Sequence, residues 1–367
     1  MKKYKICKIL LVILAIFLCV AFYELLGICV AYKKQPEVSN TTKKETKNGS
    51  WNECSENTER AVIIEKNPEA LLQRVRLIKN AKKEIILSTF AFQSDESGKL
   101  ILGALHDAAD RGVHIRLLVD GMESWIDMEG NPYFYGLSSH ENVEIKLYNK
   151  ANPLKPWKMM GRMHDKYLIA DGKRYILGGR NTYNYFLGDF PGHKNYDRDV
   201  LVVCDEPEKE NSVNQLLEYF ETIWEQEDSG YFHDNKKLAN RKSVKNAVLE
   251  LQNGYQKYFE ENKERICDTD YTDETFETEK IALVSNPIHT GSKEPVVWYQ
   301  LGELMKNAKN RVKIHTPYII CNDMMYNTWE EIAENVSDFS IMTNSVANNR
   351  NPFGSADYAK NRNRILF

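Results

Sequence analysis

Apolar and polar positions alternate with two periods along this chain, and the periods take turns. Leu71, Leu72, Val75 and Ile78 share one face of a helix that begins at Asn67-Pro68, with Asn67 as cap and proline in the first turn. Glu84 to Phe92 (EIILSTFAF) is apolar and of strand length, which predicts a buried strand. Leu100 to Arg111 has helical spacing, and Gly112 stops it. Val113 to Val119 (VHIRLLV) and Val143 to Tyr148 predict two further strands. Helices and strands in alternation predict a mixed α/β fold, a sheet with helices packed on its faces.

The N-terminal pattern is different. Ile9 to Tyr32 is a run of 24 residues that is apolar except for polar Glu24, preceded by Lys2, Lys3, Lys5 and Lys8 and closed by Lys33 and Lys34. That length predicts a transmembrane helix. The flanking lysines predict a cytoplasmic N-terminus, a single pass through the cell membrane and an extracytoplasmic globular part. A cleaved signal peptide is the other reading. The run is long for one, and no small-residue cleavage site follows it. Bulky Ile28 before Cys29 argues against lipoprotein processing. Gln35 to Asn57 is polar and reads as a flexible stalk. Lys236 to Glu279 is rich in Lys, Glu and Asn and reads as a helical linker over the surface.

One stretch recurs. Asn80 to Thr89 (NAKKEIILST) matches Asn307 to Thr316 (NAKNRVKIHT) at an offset of 227, and Ile115 to Asp120 (IRLLVD) matches Phe339 to Asn344 (FSIMTN) at an offset of 224. Two matches in the same order at nearly one offset point to duplication of an α/β unit. The expected organisation is an anchor at 1–34, a stalk at 35–58, a first unit at 59–235, a linker at 236–279 and an incomplete second unit at 280–367.

Composition narrows the function classes. The 367 residues are 42% hydrophobic and 28% charged, which suits a folded globule, and the net charge of −3 argues against bulk nucleic-acid binding. Cys7, Cys19 and Cys29 lie in or beside the apolar run, and Cys54, Cys204, Cys267 and Cys321 are scattered without metal-site spacing. Cys54 with Cys267 is a candidate disulfide, and isolated thiols are the alternative.

The chemistry gathers between Arg162 and Asn181 (RMHDKYLIADGKRYILGGRN). Lys166 to Ala170 predicts a strand, Asp171-Gly172 a hairpin turn and Arg174 to Leu177 the return strand. His164, Lys166 and Leu168 then share one face, so a nitrogen nucleophile stands beside a cation. The hairpin returns Gly178, Gly179 and Asn181 to them. Glycines there would let backbone approach an anion, and the Asn181 amide can donate to a phosphate oxygen. Seven other histidines lack such a setting. His193, near the motif in sequence, is kept as an alternative.

This stretch resembles the HxK(x)4D motif of the phospholipase D superfamily with its trailing glycines and asparagine, and it matches at His164, Lys166, Asp171, Gly178, Gly179 and Asn181. At roughly 5% per residue type, six fixed positions coincide about once in 10⁸ starts, so chance is a poor explanation. Asp199 stands where relatives carry an aspartate that opens the next strand. The resemblance implies duplicated phospholipase D-like α/β sandwich units and a phosphohistidine intermediate. It implies that Lys166 and Asn181 hold the phosphate oxygens and that Asp171 orients an imidazole, on this motif or its partner. It implies no metal and no cofactor. In relatives the second histidine comes from a second motif, which the offset places near residues 388–391, beyond Phe367. The expectation is therefore a chain that is weak or inactive alone, or one that pairs as a homodimer.

Three substrate readings follow. Lys150, Lys155, Lys158, Arg162 and Lys166 interleave with Trp157, Met159 and Met160. That mixture suits an anionic phospholipid surface and favours a phosphatidyltransferase or phospholipase D, similar to cardiolipin synthases, with phosphatidylglycerol as a candidate substrate. A nuclease of the same superfamily is the alternative, although the acidic balance means no nucleic acid is expected. The third reading is an inactive membrane-anchored module.

Overall fold

The computed structural model describes residues 2–49, 59–207, 210–233, 236–345 and 352–365. The elements begin with α1 (Lys2–Ala31), α2 (Asn40–Asn48), β1 (Arg60–Ile64), α3 (Asn67–Asn80), β2 (Glu84–Thr89), α4 (Glu96–Asp110) and β3 (His114–Asp120). The chain continues through α5 (Glu123–Asp127), α6 (Pro132–Ser138), β4 (Val143–Tyr148), β5 (Tyr167–Ala170), β6 (Arg174–Gly178), β7 (Asp199–Val203), α7 (Ser212–Trp224) and β8 (Ser229–Tyr231). It closes with α8 (Lys242–Glu261), α9 (Lys263–Cys267), β9 (Phe276–Glu277), α10 (Val296–Lys306), β10 (Arg311–His315), α11 (Asp323–Asn335), β11 (Asp338–Met342) and α12 (Pro352–Ile365). Two compact units result, one made of 1–35, 52–283 and 288–292, the other of 36–51, 284–287 and 293–367.

The first unit is built on a nine-stranded sheet in the order β8-β4-β3-β2-β5-β6-β7-β1-β9. β2, β3 and β4 run parallel, and β5, β6 and β7 are antiparallel neighbours. Successive side chains on a strand face opposite sides, and the two cores follow that rule. Ile85, Leu87, Ile115, Leu117 and Leu168 pack under α3, α4, α6 and α8. Ile86, Leu118, Tyr167 and Ile169 pack on the other face with Phe220 and Trp224 of α7. The mixed α/β fold expected from the periodicity is what forms.

The hairpin between β5 and β6 turns at Asp171 (φ 54°) and Gly172 (φ 63°), two left-handed residues in succession that suit the twist of the flanking strands. The helix expected at Asn67 forms, but Lys66 occupies the cap position without a side-chain bond. Asn67 is inside the helix, and its amide instead donates to the Asn195 carbonyl and accepts from Arg180.

Two boundaries differ from expectation. Lys236 to Glu279 is not a linker over the surface. It is largely helical, and Val244, Ala247, Leu251, Tyr255 and Phe259 bury one face of α8 against the first unit. Its many polar residues lie on the opposite face, so the apolar stripe at helical spacing outweighs the overall polarity. The first unit thus runs to residue 283 rather than 235. Within the expected stalk, Asn40–Asn48 is helical, with Ser39 accepting from the Thr42 amide at 3.1 Å as N-cap. Cys54 lies outside the described residues, and Cys267 is exposed.

α1 contains one stretch, Lys8–Ala31, long and apolar enough to cross a membrane. In the second unit β10 and β11 pair in parallel, and Val312, Tyr326, Trp329, Ile332 and Val336 form its core. The register starts at Arg311 opposite Asp338, as the β2–β3 pair starts at Glu84 opposite His114.

Candidate active site

The carboxyl ends of β2, β3 and β4 lie along one edge of the sheet, and β5 runs back against β2. Ser88 opposite Tyr167 therefore sets His164 and Lys166, which precede β5, beside Phe90, which follows β2. Open α/β sheets place ligands at this edge.

His164 is exposed on one side and crowded on the other, its ring 4.6 Å from that of Phe90 at a tilt of 56°. Lys166 is buried, with Nζ 5.2 Å from the Phe90 centroid and donating to the His164 carbonyl at 2.6 Å. Loss of water around the ring, and then the Lys166 charge, hold the imidazole down at about 4. It is neutral at physiological pH and its lone pair is available. Desolvation pushes Lys166 down to about 8, against the pull of Asp165, Asp197 and Asp120.

Buried carboxylates fix the segment that carries the histidine. Asp120, at the end of β3, accepts from Arg162 at 3.0 Å and from the Met163 amide at 3.0 Å, and its side chain is fully buried. Burial raises its pKa, and the Arg162 guanidinium opposes the rise. Arg162 also donates to the Asn149 carbonyl at 2.6 Å. Asp165 accepts from the Tyr219 hydroxyl at 2.7 Å.

Asn181 is buried beside the same loop, and its Oδ1 accepts from the Ala91 amide at 3.2 Å. With the oxygen so used, the amide nitrogen is left as the donor for an oxyanion or for the Tyr183 hydroxyl, which also bonds Asn181. Next to it, Arg180 is almost fully buried and binds the carbonyls of Ile64 and Glu65 at 3.1 and 2.6 Å and that of Asp197. Asp199 opens β7 and pairs with both Arg180 (3.2 Å) and Arg74 (2.9 Å). Its place is structural, holding the turn that presents Asn181.

Three expectations change. Asp171 does not reach an imidazole. It sits at the far end of β5, roughly 20 Å from His164 by the rise of seven extended residues. Its carboxylate accepts from the backbone amides of Lys82, Lys83 and Glu84 at 2.7–3.1 Å. The hairpin turn points it at the start of β2, whose leading amides it ties to the turn. Gly178 and Gly179 do not cradle an anion on their Cβ sides. A methyl group at either would run into the carboxylates of Asp199 and Asp197, so close packing of β7 and of the residues just before it requires the glycines there. The Gly178 amide donates to the Lys166 carbonyl at 3.1 Å. Arg162 is committed to Asp120 rather than to solvent.

His193 lies against Tyr185 with centroids 5.2 Å apart and planes tilted by 40°, and His315 is exposed on β10 of the second unit. Among the described residues no group of three or more His, Cys, Asp or Glu is placed to hold a metal ion. Sequence reading missed Phe90 and Arg180 and noted Asp120 only as the end of a strand. Phe90 follows β2 and Asp120 closes β3, and a place at a strand end is the signal that could have found them; Arg180 gives no sign of its burial.

The site is a histidine–lysine pair at one end of a mixed sheet with a buried asparagine beside it. Residues 74–224 match the family described as cardiolipin synthase, PLD-like domain, so this part of the chain resembles the phospholipase D superfamily. A protein of Helicobacter pylori (strain ATCC 700392 / 26695) described as uncharacterized is 27% identical over 315 residues, 78% of this chain and 59% of its own length. The chain therefore spans about three fifths of that relative. Cardiolipin synthase C of Escherichia coli (strain K12) is 29% identical over 171 residues, covering 43% of this chain and 34% of the relative. The crystal structure of phosphatidylserine synthase from Haemophilus influenzae Rd KW20 aligns with a TM-score of 0.55 at 16% identity, over 83% of this chain and 66% of that one. At that identity the likeness is one of fold.

Proposed function

We propose that this chain supplies a half-site of a membrane-anchored phospholipase D-type enzyme that cleaves or transfers phospholipid phosphodiesters. The observation that carries the reading is the neutral, solvent-open imidazole of His164 beside the Lys166 ammonium. His164 attacks phosphorus and the P–O bond to the departing alkoxide breaks, leaving a phosphohistidine. Lys166 and the Asn181 amide stabilise the charge gathering on the non-bridging oxygens. A second histidine protonates the alkoxide, then deprotonates the incoming water or alcohol that releases the phosphoryl group.

The 367 residues contain one HxK sequence, at His164. A second copy of this chain would supply the second histidine of the reaction proposed. Matching register in the β2–β3 and β10–β11 pairs, at the same offsets of 227 and 224 as the sequence repeat, supports a duplicated architecture for the second unit. The lysines before the apolar helix support an extracytoplasmic site. Phospholipid is favoured over nucleic acid by the relatives described as cardiolipin synthase and by the apolar helix.

His164→Asn tests the assignment. The variant should fold normally and lose turnover on phosphatidylglycerol by at least about 10³-fold, as loss of a nucleophile demands. It should also fail to trap labelled phosphate covalently. Retained turnover would remove His164 from the mechanism.

A further inference from the structure

The carboxyl edge of the sheet carries more than the reacting groups. The segments that follow β3 and β4 are neighbours there, joined where the Gly121 amide donates to the Tyr148 carbonyl at 2.7 Å. Each shows large apolar side chains to solvent. On α5, Trp125 is 68% and Ile126 67% exposed, while Glu123 and Asp127 on the same turn are half-buried. After β4, Leu154 is 77%, Trp157 46% and Met160 59% exposed. Lys150 and Lys155 are exposed among them. Five large apolar groups along one rim are more than scattered surface hydrophobics, and folding gives no reason for them.

A second observation concerns α1. Its last turns lie on the loop after β4: the Tyr23 hydroxyl donates to the Leu154 carbonyl at 3.0 Å, and Gly27 packs against Pro156 so closely that a methyl group would collide. Tyr32 and Ala31 bond Thr290 and Ser292 of the same unit. The helix that is apolar enough to cross a bilayer thus ends on the loop that displays Leu154 and Trp157.

We infer that this rim is a lipid-docking surface that seats the histidine–lysine edge on an anionic bilayer. Trp157 and Trp125 lie at the headgroup level, where an amphipathic ring is favoured, and Leu154, Ile126 and Met160 reach the acyl boundary. Lys155 meets anionic headgroups, while the Lys150 ammonium donates to the Tyr231 carbonyl at 2.6 Å. The docked helix fixes the distance, so a phospholipid phosphate comes to His164 without leaving the interface. The choice of lipid rests on the function proposed above; the docking itself does not require turnover.

The test uses the full chain with His164→Asn, in vesicles of phosphatidylglycerol and phosphatidylcholine whose acyl chains carry bromine as a quencher. Tryptophan emission should be quenched, and Trp157→Phe should reduce the quenchable part by about twofold or more, as expected of a ring at the interface. Trp125→Phe should reduce it further. Leu154→Ser, which leaves every tryptophan in place, should make Trp157 less accessible to bromolipid and more accessible to aqueous acrylamide. Quenching unchanged by these substitutions, with Trp157 open to acrylamide throughout, overturns the proposal. Emission shielded from both quenchers together with cross-linked dimers also overturns it, because a second copy then covers the rim. Docking with an active site that proves inert on phospholipid would leave this inference standing and remove the proposed substrate.

Discussion

Asp171 and His164 are seven positions apart in one motif, yet they lie beyond opposite ends of a strand. The aspartate accepts three backbone amides where β2 begins, so its loss strikes folding before chemistry. Asp171→Ala should cost about 1 kcal/mol in urea unfolding, the net worth of hydrogen bonds to donors that water can reach. The folded fraction should keep its kcat within a few-fold and its pH profile unmoved, with Asp171→Asn recovering part of the stability. Full stability with abolished turnover would return Asp171 to the reaction. Lys166 gives the complementary case. Its ammonium is held near 8, so raising the pH through that value removes the charge that binds phosphate oxygens, and kcat/KM should fall on that alkaline limb. On the acid side His164 stays neutral until about 4, so its own protonation should leave the profile flat through neutrality. Lys166→Arg should move the alkaline limb upward out of the measurable range, because a guanidinium stays charged there. An alkaline limb that stays in place would assign it to another group.

Among the elements, α8 makes the largest difference to the expected layout. Its buried stripe lies against α4, where Gly103 allows close approach: a methyl group there would meet the Leu251 carbonyl and the Tyr255 Cβ at 2.7 Å. A helix read as a surface linker is thus a wall of the first core. Gly103→Val should push α8 outward and lower stability by about 1–3 kcal/mol or more, the range for overpacking a core. Protease sensitivity between residues 236 and 261 should rise with it. Stability equal to that of the parent chain would mean that α8 docks loosely. The β5–β6 hairpin shows the opposite relation between sequence and structure. Asp171-Gly172 reads as a turn from residue type alone, and both residues adopt the left-handed backbone that type predicts.

At the scale of the whole molecule, three features meet on one edge of the first unit: the histidine–lysine pair, the exposed apolar rim and the end of the apolar helix. None is adjacent to all the others in sequence. Parallel pairing of β2, β3 and β4 puts their following loops side by side, and antiparallel β5 returns the motif to that end. The second unit repeats the helix-then-strand order with its own parallel pair and its own core, and carries no HxK of its own.

Local chemistry was legible without coordinates. The α/β alternation, the hairpin, the apolar helix and the placing of His164 beside Lys166 all depend on periodicity and turn preference, which act over a few residues. Folding in three dimensions decided the rest. Asp171 was separated from His164 by the length of one strand. Gly178 and Gly179 became room for carboxylates of a neighbouring strand. Asp199 was matched with arginines 125 and 19 residues away in the chain, and Phe90 was set beside the histidine–lysine pair. Those outcomes turn on which strand lies beside which, and a strand's neighbours are chosen by burial of the whole sheet rather than by any local run of residues.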